Sequence, residues 1–322
     1  MADLFVIIEH RQGQAREISL QALYKANDLG KKIGAPLTAV VMGGKDEPFL
    51  PEITARADKV IAVEHESLKN FNFDLYAGIL ESLIKEHRPI ITLMGHTPWG
   101  MDLGPALSVR TGLPIATDCV DILVEDGRTK VVRQVYSGKL FQKVSFKESE
   151  GYLITVRAGA FPSERAGEHK GELIRKDLPA GLPSVRRQFV GYEETSTGAV
   201  DITQADLLIS VGRGIGEQEN VAVVKELADK LGGVLSCSRP VVDKNWLPKF
   251  HQVGTSGKSV KPKVYLALGI SGAFQHVAGI TGAGMVIAVN KDKKAPIFRV
   301  AHYGVVDDLF KVVEALKGKL NK

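Results

Sequence analysis

Cysteine is nearly absent from this chain: Cys119 and Cys237 are the two it has. They make neither a disulfide framework nor a four-ligand zinc or iron–sulfur set, so any redox chemistry must come from an organic cofactor. Also missing is an apolar run near the roughly 18 residues of a spanning helix. The opening MADLFVIIEH lacks the basic region of a signal peptide, which gives the expectation of a cytoplasmic protein. The charge balance is mildly basic, +5 with a pI near 9.0, but lysines and arginines are scattered among acids. That is a solvated surface, not a nucleic-acid footprint. No G-x-S-x-G elbow, H-E-x-x-H pair or Walker A loop occurs, so nothing calls for a nucleophile or a metal-bound water.

What is present is an α/β pattern in two parts. At 322 residues the chain exceeds a typical single core, and 44% hydrophobic with 25% charged residues is ordinary globular composition. Short β-rich runs at 4–8, 37–42, 59–63 and 89–94 alternate with amphipathic helices at 19–33 and 73–87. After residue 118 the runs CVDILV, TKVVRQVY, KLFQKVSF and YLITVRAG follow without long helices, which predicts an antiparallel extension. His96 and Trp99, in GHTPWGMD, read as exposed-loop residues for loop structure or partner contact. The segment PAGLPSVRRQFVGYEETSTGAV places the domain joint near residue 195. The expected architecture is an N-terminal α/β domain with a mixed sheet, 1–194, and a C-terminal Rossmann-like domain with a parallel sheet, 195–322.

The second part opens with a strand at 206–211, the turn GRGIG, and a helix with Val221, Val224, Leu227, Ala228 and Leu231 on one face, stopped by Gly232. Such a unit can offer backbone N–H groups and a helix N-terminus to a phosphate. It lacks the full dinucleotide fingerprint, because Glu217 stands where the third glycine belongs, and a plain tight turn explains it equally well. Most informative is the stretch from Val264 to Phe310. One buried strand runs into GISGA and Gln275-His276, a second at 285–289 stops at Asn290, and a third at 297–301 leads to Asp307 and Asp308. In open α/β sheets ligands bind at the carboxyl ends of strands, so a nucleotide-like ligand is expected here.

GRG at 212–214, CSRPVVD at 237–243, QVGTSGK at 252–258 and the GISGAFQHVAG to DLF segment together resemble the alpha subunit of electron transfer flavoproteins. HTPWGMDLGPALSVRTGLPIATDC and TVRAGAF resemble the same family's N-terminal domain, so the resemblance spans the chain. It implies an FAD bound mainly by the C-terminal domain and a heterodimer with a beta subunit contacted by the N-terminal domain. It further implies electron relay between dehydrogenases, such as an acyl-CoA dehydrogenase, and acceptors such as a quinone oxidoreductase or a ferredoxin. Some members bifurcate electrons from NADH through a second FAD in the beta subunit.

Carried over residue by residue, Arg213, Ser238, Val253, Gly254, Thr255, Ser256, Ser271, Gly272, Ala273, Phe274, Gln275, His276, Asn290, Asp308 and Leu309 line the FAD. The glycines and serines of GISGA suit close approach to a pyrophosphate, and Asn290 and Asp308 suit the ribose or adenine. On the residues alone, the favoured readings are Asn290 as a turn cap and Asp308 as a cap of a helical turn. Ser256 is expected to donate to the flavin N5, Arg239 to stack on the isoalloxazine, and His276 to sit near the pyrimidine carbonyl. One cation about 4 Å from the ring, at an effective dielectric near 20, is worth roughly 4 kcal/mol, or on the order of 170 mV for one electron. Thr255-Ser256 replaces the family's frequent Gln-Thr, and His302 stands where an acid is common, which bears on local charge.

Rival readings are a nicotinamide-dependent enzyme, opposed by Glu217, and a non-enzymatic nucleotide-sensing module on the N-terminal domain. A deacylase on a related nucleotide-binding fold is opposed by the missing cysteines.

Overall fold

The computed structural model describes residues 3–136, 140–164, 169–192 and 201–320. The chain divides into two compact units, Met1–Gly191 and Tyr192–Lys322. The joint expected near residue 195 lies outside the described residues.

In the first unit the order is β1 (Leu4–Ile7), a small hairpin of β2 (His10–Arg11) and β3 (Gln14–Ala15), α1 (Glu17–Ile33), β4 (Leu37–Gly43), α2 (Leu50–Thr54) and β5 (Lys59–Glu64). Then come α3 (Phe73–His87), β6 (Ile91–Gly95), α4 (Pro98–Thr111), β7 (Ile115–Glu125), β8 (Arg128–Val135), β9 (Leu140–Ser145), β10 (Tyr152–Val156) and β11 (Glu172–Lys176). A nine-stranded sheet runs β11-β5-β4-β1-β6-β10-β7-β8-β9. It is parallel from β11 to β7 and antiparallel from β7 to β9. Every residue of β1 is buried, as a central parallel strand requires. Leu4 and Val6 join the core around Ala22, Leu23 and Ala26 of α1, while Phe5 and Ile7 join the one around Tyr76 and Leu80 of α3.

Three features differ from the sequence reading. YLITVRAG is not part of the antiparallel extension: β10 inserts in parallel between β6 and β7, with Leu153, Ile154 and Val156 fully buried. HTPWGMDL is not an exposed loop. Thr97 caps α4 by accepting from the Gly100 N–H, and Pro98 takes the helix's opening position, where its missing N–H costs nothing. Trp99 stacks on Phe71 and meets Tyr76 and His10 edge-on, and His96 Nδ1 lies 2.9 Å from Thr155 Oγ1. Burial holds the His96 pKa below its ordinary value. Strand β11, at the far edge, was unforeseen.

The strand neighbours of β1 diverge, with β4 on one side and β6 on the other, so a crevice is expected beyond its carboxyl end. Side chains of the unit itself fill that place. Glu9 is buried, and its Oε1 accepts from Thr97 Oγ1 at 2.7 Å. Burial pushes its pKa up to about 7, with the Thr97 hydroxyl and Arg16 acting the other way.

The second unit contains β12 (Leu207–Val211), α5 (Val221–Lys230), β13 (Val234–Cys237), α6 (Arg239–Asp243), β14 (Val264–Leu268), α7 (Phe274–Val277), β15 (Met285–Val289), β16 (Tyr303–Val305) and α8 (Leu309–Leu320). Its five strands are all parallel in the order β13-β12-β14-β15-β16, which is 2-1-3-4-5 counted within the unit. The switch point is therefore between β12 and β14. Ile209 and Val211 pack with α5 and α8, and Leu208, Tyr265 and Ala267 form the core of the other face. Residues 297–301 are not a strand: Pro296–Arg299 is a 3-10 turn with Ile297 buried, and the edge strand follows at β16. Proline at the head of the segment withholds the N–H that a ladder would use.

Candidate functional site

Beyond the carboxyl ends of β12, β13, β14 and β15 lies a cleft of about 570 Å³. That size suits an organic ligand. Arg213 and Gly214 follow β12, and Ser238, Arg239, Pro240 and Asp243 follow β13. Residues Gly269, Ile270, Ser271, Ala273, Gln275 and His276 follow β14, and Asn290 follows β15. The loop of Val253, Gly254, Thr255 and Ser256 closes the remaining wall.

Backbone contact builds the cleft's base. The N–H of Gly212 donates to the Leu268 carbonyl and that of Gly214 to Gly269. A Cβ on Gly212 would sit 2.3 Å from the Gly269 oxygen, so only glycine lets the two turns touch. The GRGIG turn does not open a helix, however. Arg213–Ile215 is a 3-10 turn, and α5 starts only at Val221, so the helix N-terminus expected beside this turn is displaced from it. GISGA does lead into a helical turn, α7, one turn long.

Each polar side chain is set by a local cause. Gln252, buried, donates its amide to Ser256 Oγ at 2.8 Å. With that lone pair filled, the Ser256 hydrogen is free for the cleft. Arg239 is exposed at the first position of α6, its Nε 3.4 Å from Asp243 Oδ2 one turn on. Arg213 is exposed and has no ion-pair partner among the described residues. Asn290 donates Nδ2 to the Ile270 carbonyl at 2.9 Å and accepts from the Asp292 N–H, so it ties two turns together and keeps one Nδ2 hydrogen spare. His276 is buried, and its Nε2 lies 2.8 Å from the Tyr265 hydroxyl. Its Nδ1 is buried with no hydrogen-bond partner among the described residues. Burial pushes its pKa down to about 4, the Val253 backbone acting the other way, so the ring is neutral at physiological pH.

Of the residues expected from sequence, Gly272, Phe274, Asp308 and Leu309 are not on the cleft wall. Gly272 is packed against the Ile297 backbone. Asp308 accepts from the Phe310 N–H and pairs with Lys291 at 2.9 Å, which makes it a cap of α8, and Leu309 is core. His302 accepts the Val286 N–H on Nδ1 near the amino end of β15. That end is about 10 Å from the strand's carboxyl end at roughly 3.3 Å per residue, too far for a cleft contact. Sequence reasoning missed Gln252, Asp243 and Tyr265. An opening of about 620 Å³ in the first unit, beside α2 and β11, is less suited to a ligand because Arg175 is committed to Asp46 and Glu64, and His169 to Asp58.

Residues 201–281 match the electron transfer flavoprotein FAD-binding domain, and residues 4–180 the electron transfer flavoprotein domain. The electron transfer flavoprotein subunit alpha of Thermoanaerobacterium thermosaccharolyticum is 35% identical over 99% of this chain and 98% of its own length. Its counterpart in Methylophilus methylotrophus is 36% identical over 99% of each chain. The acryloyl-CoA reductase electron transfer subunit beta of Anaerotignum propionicum is 33% identical over 97% of this chain and 93% of its own. No helix among the described residues is long and apolar enough to cross a membrane. With family matches over both units and relatives aligned from end to end, the chain belongs to the electron transfer flavoprotein alpha-subunit family, and FAD is the cofactor of its second unit.

Proposed function

We propose that this chain is the FAD-holding subunit of a heterodimeric electron carrier, passing electrons from a dehydrogenase such as an acyl-CoA dehydrogenase to a downstream acceptor. The observation that carries the reading is the cleft at the β12/β14 switch point, within the matched FAD-binding domain. Its residues fit FAD: glycine turns allow close backbone approach, Arg213 offers an unpaired cation for a pyrophosphate, and a buried His276 nitrogen lacks a partner.

When bound, FAD supplies reversible electron acceptance and release; the protein supplies binding, orientation and electrostatics. Ser256, held by Gln252, would offer its hydroxyl hydrogen to the bound flavin ring. Arg239 would bring a planar cation to the cleft and favour negative charge on the ring. His276 would add a neutral polar contact. The cation's effect is smaller than that of an unshared charge about 4 Å from the ring, because the Arg239 side chain is 67% exposed and shares its charge with Asp243. In this reading residues 1–194 contact a beta subunit, and the FAD domain, 195–322, swings between partners on a polar linker. Solution scattering that gave one rigid orientation, with and without the donor, would count against the swing.

A nicotinamide-dependent enzyme is the weaker reading, since neither the glycine spacing nor the 2-1-3-4-5 strand order is that of the usual dinucleotide fold. The test is co-expression with the chain encoded beside it and measurement of acid-released flavin per heterodimer. One FAD supports simple relay. Two FAD with NADH-dependent reduction support bifurcation through the beta subunit, and no flavin after reconstitution sinks the assignment of the site.

A further inference from the structure

One charge in the cleft runs against its use. Asp243 is the one carboxylate among the described residues that line it, on a wall that has to accept a diphosphate. The two cations of that wall, Arg213 and Arg239, stand on neighbouring strands. Val211 and Cys237 end β12 and β13 in register, and each arginine follows two residues later, so the strand ends that carry them are about 4.8 Å apart. A guanidinium meets a phosphate through two parallel hydrogen bonds, and with both cations free a diphosphate could sit at either.

The two are not equally free. Helix α6 is a short turn with Arg239 first and Asp243 last, and residues four apart on a helix are neighbours on its surface. Arg239 Nε accordingly lies 3.4 Å from Asp243 Oδ2. Other cations on the segments around the cleft are engaged elsewhere: Lys244 lies over the Trp246 ring at 4.3 Å, and Lys258 and Lys291 pair with Asp201 and Asp308, each at 2.9 Å. Arg213 has no ion-pair partner among the described residues. A carboxylate beside one of two similar cations repels an anion from it, which is discrimination by disfavouring the wrong arrangement. We propose that Asp243 is a specificity-determining residue: it withholds Arg239 from the diphosphate, which goes to Arg213, and so leaves the Arg239 end of the cleft to the flavin ring. The same carboxylate moderates how strongly that end favours the reduced, more negative ring. The inference rests on the FAD reading for the ring; the unequal charge of the two arginines belongs to the chain itself.

Two experiments on the full chain test it. With flavin removed, inorganic pyrophosphate is titrated calorimetrically. In the parent, Arg213→Gln is expected to weaken its binding about tenfold and Arg239→Gln less than about twofold. Asp243→Asn should strengthen it about fivefold, a gain that adding Arg239→Gln removes and that Asp243→Glu, which keeps the charge, does not show. Equal dependence on the two arginines in the parent overturns the proposal, as does absence of binding or a gain in Asp243→Asn that survives the loss of Arg239. In the flavin-loaded protein, Asp243→Asn is expected to shift the cofactor's preference about threefold towards its reduced form, or about 28 mV for one electron. A potential that does not move overturns the placement of the ring beside Arg239. If pyrophosphate behaves as expected and FAD is not retained, the division of charge stands and the FAD assignment fails. If FAD is retained and Asp243→Asn alters neither readout, the FAD assignment stands and the proposal fails.

Discussion

The two units solve one problem in opposite ways. Each has a run of parallel strands with a switch point, and each brings a strand, a turn and a helical segment to it. In the first unit Glu9, Thr97 and the aromatic group around Trp99 occupy the neighbourhood, and the carboxylate is buried among its own chain. In the second unit Gly212, Gly214 and Gly269 bring backbone against backbone, and no side chain fills the space above. A switch point therefore becomes a cofactor site only where the strand-end residues leave it open. Sheet topology nominates both places, and side chains choose between them.

The comparison can be broken most directly by closing the open site. Gly212→Val puts a side chain where a Cβ already meets the Gly269 oxygen, so the β12 and β14 turns must part. Flavin content after purification should fall to near zero, with stability lowered by about 3 kcal/mol in urea unfolding, the upper range for overpacking. Retention of FAD would show that the turns are not the base of the site.

The filled site is tested through pH. Glu9 has a folded pKa of about 7 against an ordinary 4.5. The folded state therefore binds more protons between those values, and stability falls as pH rises through that window. At about 1.36 kcal/mol per unit, the fall is about 3 kcal/mol. Glu9→Gln should abolish it, so the difference in stability between parent and variant, followed by chemical denaturation from pH 4.5 to 8, should change across the window and flatten above it. A difference independent of pH would mean that Glu9 ionises as freely as in the unfolded chain.

The limits of the open site are set by smaller effects. Ser256→Ala removes a donor to a reduced, charged ring, and the flavin midpoint potential should drop by about 60–100 mV, taking about 1.5–2.5 kcal/mol for a charged hydrogen bond. Spectroelectrochemistry reads this; an unchanged potential would mean that the hydroxyl faces elsewhere. The smallest effect is expected at Asp308→Ala. It removes a cap of α8 and should lower the melting temperature slightly with flavin content intact. Loss of flavin in this variant would extend the site beyond the cleft.

Both sheets were legible in the sequence wherever strands are buried on two faces, as in LFVI and LLISV, because continuous β-branched and aliphatic runs have few other uses. The α4 helix was hidden by Gly100, Gly104 and Pro105, residues unfavourable inside helices, with both glycines packed closely on Met94 and Gly104 also on Ile115. YLITV was legible as a strand but not as a parallel one, since direction depends on which neighbours it inserts between. At the cleft, motifs pointed to Arg213, Ser238, Ser256 and His276. Gln252 and Tyr265 carry no such signal, because each meets another side chain, Ser256 and His276, that only the folded chain brings to it. On its own residues Asp308 reads first as a helix cap, the ligand contact coming from the family resemblance, and its hydrogen bond from Phe310 and ion pair with Lys291 account for it as a cap.

The cleft's walls run from Arg213 to Asn290, drawn from four strand ends in a sheet whose first and third strands touch. A ribosome making this chain must therefore release β15 before the cofactor has anywhere to bind. A ligand that binds only the folded domain stabilises it by mass action, so flavin supply should set how much of the newly made chain stays folded.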